Sequence, residues 1–198
     1  MSHSVITEMT KKLLSDSLKK LLNKKTLKKI TVKEVVTECG LTRQTFYYHF
    51  QDMYELLDWT FSDIVKTALN GSKENDREES YKKLFIYINE NKSLFISTLK
   101  CIGRDHFESA MYPQLFRYNK DHIIKLSFDT GKNIPEKKID LLANLQTISL
   151  ISFLANWLND NKKQDFRELN ELIKMFDATL DEWILNTLTK DEPRKATS

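Results

Sequence analysis

Gly40 divides two short apolar patterns, and that division limits the possible folds of this chain more tightly than any other feature of its sequence. On the N-terminal side, Thr31-Val-Lys-Glu34 is a capping box, in which hydroxyl and carboxylate satisfy free amides of a first helical turn. Val32, Val35 and Val36 supply the apolar face of that helix. Glycine readily takes the left-handed conformation that ends a helix, so Gly40 marks the stop. On the C-terminal side, Thr42 can cap a helix over about 43–49. There Phe46 and Phe50 fall four apart on one face, with Arg43, Gln44, Tyr47 and Tyr48 largely on others. Two short helices around a glycine turn are the outline of a helix-turn-helix, whose second helix enters the DNA major groove.

The remainder of the chain is sparsely punctuated. Four glycines and three prolines in 198 residues leave room for long elements, and the expectation is an all-α chain. Ile6, Met9, Leu13, Leu14, Leu18, Leu21 and Leu22 follow three- and four-residue steps, which predicts an amphipathic helix over about 5–23 with its lysines outward. Asp52-x-x-Glu55 caps a helix reaching about Asn70, and helical patterns follow at about 78–90, 92–101, 104–127, 136–159 and 166–188. Gly71–Arg77 reads as a charged loop.

Charge separates the first module from the rest. Residues 1–50 hold ten Lys and Arg against four acids, or +6, whereas the whole chain carries +3, leaving −3 for residues 51–198. A basic module on a mildly acidic body suits a polyanion partner, although a solvated lysine face would carry the same charge. Two cysteines, Cys39 and Cys101, without CxxC spacing, point to a reduced interior and to no metal site. The N-terminus has no apolar run of signal-peptide length, and a cytoplasmic location is expected. Leu141 to Asn159 runs nineteen residues without a charge, yet its asparagines, Gln146, Thr147 and serines suit a helix buried on more than one side better than a membrane span.

The stretch "ITVKEVVTECGLTRQTFYYHFQDMYELL" resembles the N-terminal signature of the TetR family of transcriptional regulators, with Gly40, Thr42, Tyr47, Phe50 and the acidic-aliphatic helix start in register over about residues 5–60. Val36 and Cys39 stand where smaller or different residues are usual. Gln51-Asp52-Met53 replaces a lysine-containing stretch, so the resemblance carries no phosphate contact there. It implies a helix-turn-helix DNA-binding domain over residues 1–51, a helical effector-binding and dimerisation domain over 52–190 and a disordered tail at 191–198. Together with "NENKSLFISTLK", the stretch also looks like the subgroup of dihydroxyacetone kinase operon activators, the DhaS type. The implied protein is a homodimer on a near-palindromic operator in double-stranded DNA, an activator or a repressor answering to a small-molecule effector or an effector-carrying protein.

Residue roles follow from chemistry and position. Arg43, Gln44 and Thr45 begin the second helix, where Arg and Gln can make paired hydrogen bonds to guanine or adenine. Thr31, Lys33, Thr42, Tyr47, Tyr48 and His49 can contact the DNA backbone, which positions without reading sequence. Trp59, Phe85, Phe95, Phe107, Tyr112, Phe116 and Phe153, with Tyr81, Tyr118 and Trp157, are candidates for an effector cavity, and the competing reading places them in the core. The TetR resemblance implies that the last helix pair joins its twin in a four-helix bundle. Phe176, Leu180, Trp183 and Ile184, packed with Leu150, Leu154 and Leu158, are the expected seam.

Two other classes compete. An enzyme finds little support, because His3, His49, His106 and His122 are scattered with no HExxH or nucleophile motif, and no cofactor or membrane partner is expected. Asp105-His106 and Asp121-His122 read as helix-surface pairs. A helical interaction protein that does not bind DNA would need neither Gly40 at that spacing nor a basic first module.

Overall fold

Gly40 adopts φ +67° and closes a Schellman turn: Leu41 N–H donates to the Val36 carbonyl at 2.8 Å and Gly40 N–H to that of Thr37 at 3.3 Å. This turn appears in a computed structural model that describes residues 3–70 and 77–159, with Glu171, Ile173, Lys174, Glu182 and Asn186 beyond them. The described elements are α1 (His3–Leu22), a short 3-10 turn (Leu27–Lys29), α2 (Val32–Glu38), α3 (Arg43–His49) and α4 (Met53–Asn70). They continue with α5 (Arg77–Glu90), α6 (Lys92–Ile102), α7 (Arg104–Asp129) and α8 (Glu136–Asn159). The fold is all-α, and the helix-turn-helix lies at residues 32–49 as the capping signals predicted. The expected helix over 166–188, with Phe176, Leu180, Trp183 and Ile184, and the expected tail at 191–198 lie outside the described residues.

The caps do their expected chemistry. Thr31 Oγ accepts the Glu34 N–H at 3.3 Å while Glu34 Oε2 accepts the Thr31 N–H at 2.9 Å. Asp52 Oδ1 accepts from Tyr54 N–H at 2.8 Å and Glu55 N–H at 2.9 Å, and Glu55 accepts the Gln51 N–H at 2.6 Å. The link between α3 and α4 is thereby tied down.

Helix α1 departs from its predicted face. Leu14, Leu18 and Leu22 are buried, but Ile6, Met9 and Leu13 are about half exposed. At 100° per residue those two sets lie about two-fifths of a turn apart, so the three- and four-residue steps merged two stripes into one. Buried side chains form one cluster from Leu14 through Phe46, Phe50 and Phe61 to Leu158, and Phe50 meets Trp59 of α4 with ring centroids 6.2 Å apart. Each such side chain contributes about 1.5–3 kcal/mol when fully buried. A second cluster of Ile123, Ile134, Ile139, Leu142 and Ala143 fills the far tip between α7 and α8. Helix α8 is long and apolar enough to cross a membrane by length and composition, and half of its most apolar window is buried within the fold.

Candidate nucleic-acid interface

The second helix of the motif is held by its aromatic face and offers the others. Phe46 and Phe50 are buried, their rings 6.0 Å apart. Arg43 and Gln44 are exposed, Tyr47 and Tyr48 are 59% and 71% exposed, and Thr45 and His49 are half-buried. Tyr47 meets Phe46 edge-on at 5.4 Å and Tyr48 meets His49 edge-on at 4.9 Å, which props both phenols outward. Thr42 Oγ accepts the Thr45 N–H at 3.1 Å and shares a second hydrogen bond with the Thr45 hydroxyl at 2.9 Å.

Of the two roles expected of Thr31, helix cap and backbone contact, the cap occupies its side chain. Both of its donors, N–H and hydroxyl, go to Glu34 Oε2 at 2.9 Å. A phosphate offers only acceptors, so Thr31 in this arrangement sets the start of α2 instead of donating to DNA. Lys25 also bonds Glu34, and these partners hold the Glu34 carboxyl well below its ordinary 4.5, at about 2, with the Lys25 hydrogen bond the largest cause.

The surplus charge of the module is now attributable to particular side chains. Its four acids are each paired: Glu8 with Lys11 at 3.8 Å, Asp16 with Lys19 at 2.7 Å, Glu38 with Lys20 at 3.5 Å, and Glu34 with Lys25. Lys12, Lys24, Lys28, Lys29, Lys33 and Arg43 carry the remaining +6, and all six are exposed. Cationic side chains on the surface of a module that presents a recognition helix supply the sequence-independent part of DNA binding.

In the body, the aromatic candidates do not share one cavity. Phe95 and Phe107 are buried around Phe61, with centroids 5.4 and 5.6 Å from it, and Phe85 packs on Phe153 and Trp157. Trp59 packs beneath Phe50, and Tyr112 stacks on Phe116 at 5.5 Å. Tight packing makes most of these rings core, while Tyr112 lines a groove of about 270 Å³ with Glu108, Ser109, Pro113, Ile148 and Ile151, and Tyr118 lines another of about 160 Å³ with Lys66, Leu69, Gln114, Arg117 and Asp121. The spacing missed a buried polar chain in the same body: Tyr81 bonds Asn119, Asn119 Nδ2 donates to Thr147 Oγ at 3.0 Å, and Arg77 donates to Gln146 at 3.5 Å. Polar letters in an apolar helix can announce burial, as Gln146 and Thr147 did, but their partners emerge only once the helices are packed.

The expected seam needs correcting in its described half. Leu150, Leu154 and Leu158 are buried in the chain's own core and present nothing to a second copy. The outward stripe of α8 is Leu141, Leu145 and Ile148, which are 57%, 46% and 49% exposed. A nearly neutral helix concealed which of its apolar sides faced inward.

His106 lies at the surface as expected, with 38% of its side chain exposed, but it has a partner in another helix. Its Nε2 lies 2.7 Å from Asp58 Oδ1, which joins the first turn of α7 to α4 across 48 positions of sequence, and its ring lies 6.0 Å from that of Tyr54.

Comparison with known proteins accords with this geometry. The family described as bacterial regulatory proteins, tetR family, matches residues 15–58, and a transcriptional regulator C-terminal region matches residues 75–176, just over half of the chain. The HTH-type dhaKLM operon transcriptional activator DhaS of Lactococcus lactis subsp. lactis (strain IL1403) is 27% identical over 96 residues, which is 48% of this chain and 50% of that protein. The chain thus matches about half the length of that relative. A solved structure of the dihydroxyacetone kinase operon activator DhaS is 20% identical and superposes with a TM-score of 0.60, covering 93% of this chain and 98% of that one, a likeness of fold.

Proposed function

The chain belongs to the TetR family of bacterial transcriptional regulators, and from that premise we propose that it binds a near-palindromic operator as a homodimer through Arg43, Gln44 and Thr45. Thr42, Lys33, Tyr47, Tyr48 and His49 serve as backbone contacts in this reading. The observation that carries it is the recognition helix itself: buried Phe46 and Phe50 fix its inner face, and Arg43, Gln44, Tyr47 and Tyr48 stand outward on a module whose six surplus cations are all exposed. Residues 1–51 form the DNA-binding module and 52–190 the regulatory and dimerisation part, in a cytoplasmic protein.

Its target is a dihydroxyacetone kinase operon, and its action there is activation. The DhaS relative, named as an activator of the dhaKLM operon, supports this assignment over the matched half. Control passes through the regulatory part by a small molecule or an effector-carrying protein. The packed aromatic core favours the surface groove beside Tyr112 over a large aromatic cavity as a site of control.

Selection of genomic fragments by the purified protein tests this reading. The expected product is a short inverted repeat upstream of genes for dihydroxyacetone phosphorylation. Failure to enrich any fragment above random DNA would remove the DNA-binding reading, and enrichment beside unrelated genes would remove the operon.

A further inference from the structure

Helix α4 is the element on which the recognition helix depends for its angle. It begins at Met53, three residues after the α3 cap residue Phe50, and the bonds from Asp52 and Glu55 to neighbouring amides stiffen the intervening link. Rotation of the first turns of α4 therefore moves α3 with it. Besides the packing of α4 against α1, α5 and α7, two contacts near its start resist such rotation. Phe50 against Trp59 is apolar and non-directional, and rings can slide. The 2.7 Å bond between His106 and Asp58 is directional, and because an ionised carboxylate only accepts, His106 Nε2–H is the donor. Tyr54 and Asp58, four apart, place both groups that meet His106 on one face of α4. Behind that face Leu56, Leu57, Thr60 and Phe61 are buried in the core.

We propose that His106 is a positioning residue for operator binding: by holding Asp58 it fixes the rotation of α4 and hence the angle at which the recognition helix is presented. The inference rests on the operator-binding reading above. In a dimer, that angle sets the separation of two recognition helices and so the half-site spacing that is preferred. Contact of one module with one half-site does not depend on it. A loss of angular control is thus separable from a loss of folding or of the DNA surface.

The full-length protein, His106→Phe and His106→Gln are compared on the selected operator, on operators with the spacer one base pair longer or shorter, and on a duplex with a single half-site. His106→Phe keeps a ring beside Tyr54 and loses the bond, whereas the Gln amide can still donate to Asp58. The expected result for His106→Phe is single half-site binding within about twofold of wild type. Its affinity for the full operator falls by about fivefold or more, in the range of ordinary coupling between sites, and its spacer preference flattens. His106→Gln restores both. Should His106→Phe lose stability, a double-mutant cycle with Asp58→Ala decides: shared losses on the full operator support the pair and additive losses overturn it. Wild-type spacer preference in His106→Phe, or equal losses on half-site and full operator, also overturns it. If wild-type protein bound no duplex, the operator reading would fall, and this inference with it.

Discussion

Thr42 Oγ accepts the backbone N–H of Thr45 at 3.1 Å, so the side chain that starts the recognition helix is bonded to one of the residues expected to touch bases. Capping and reading are separable by substitution. Thr42→Ala should cost about 1 kcal/mol of stability and weaken all DNA sites alike, and Thr42→Ser should restore both. Arg43→Ala and Gln44→Ala should leave thermal unfolding unchanged, each costing about 1–3 kcal/mol at particular base pairs of the operator. Unfolding midpoints and binding to a panel of singly substituted operators check this. Readers that weakened every sequence equally would place Arg43 and Gln44 on phosphates instead.

Lys33 and Lys20 are a matched pair for testing the charge assignment, since both are exposed lysines of the first module but Lys20 pairs with Glu38 at 3.5 Å. A lysine that neutralises a phosphate contributes about one unit to the slope of log affinity against log salt. Lys33→Ala should lower that slope by about one, and Lys20→Ala should leave it within error. Equal slopes for the two variants would return Lys33 to a solvated face.

The parts of this structure that were legible in the sequence are those whose cause is local. The bounds of α2 and α3 follow from Thr31, Glu34, Gly40 and Thr42, whose capping and turn bonds reach no more than a few residues. Helix α8 was legible in extent and not in orientation, because apolar residues stand on nearly every side of it, and only packing decides that Leu150 goes in and Leu145 out. The His106–Asp58 bond was illegible because partners 48 residues apart meet only through the crossing of α4 and α7. Ile6, Met9 and Leu13 show the converse, since a hydrophobic step predicts a stripe without saying what lies against it.

Acid should loosen the start of α2 in a defined window. Glu34 has a folded value of about 2 against an ordinary 4.5, so the folded state binds its proton more weakly than the unfolded chain does. Its contribution is present in full above about pH 4.5 and is lost as pH falls through about 2. Glu34→Gln should therefore remove part of the pH dependence of unfolding between those values. Denaturant titrations at several pH values measure it, and an acid limb of unchanged steepness in the variant would show that the Lys25 and Thr31 contacts do not persist in solution.

The dimer seam yields the last prediction, because one recognition helix reads few base pairs, and two must be held about 34–36 Å apart, or a multiple of that, to read one face of the duplex. On α8 the exposed large apolar side chains are Leu141, Leu145 and Ile148, at i, i+4 and i+7, beside the groove lined by Tyr112 and Pro113. Three side chains fall short of the roughly 1,000 Å² of a stable interface, so the stripe requires a companion, and the apolar pattern of Phe176, Leu180, Trp183 and Ile184 supplies one in sequence. Charge on the outward stripe should separate the protomers without disturbing their cores. Leu145→Glu with Ile148→Glu should give helical monomers that keep single half-site binding and lose the full operator. Leu154→Glu, at a buried position, should instead unfold the body, because an unpaired buried carboxylate has no compensating partner. Sedimentation reports mass and circular dichroism reports folding. A Leu145→Glu, Ile148→Glu protein that sedimented as a dimer would take α8's outward face out of the seam.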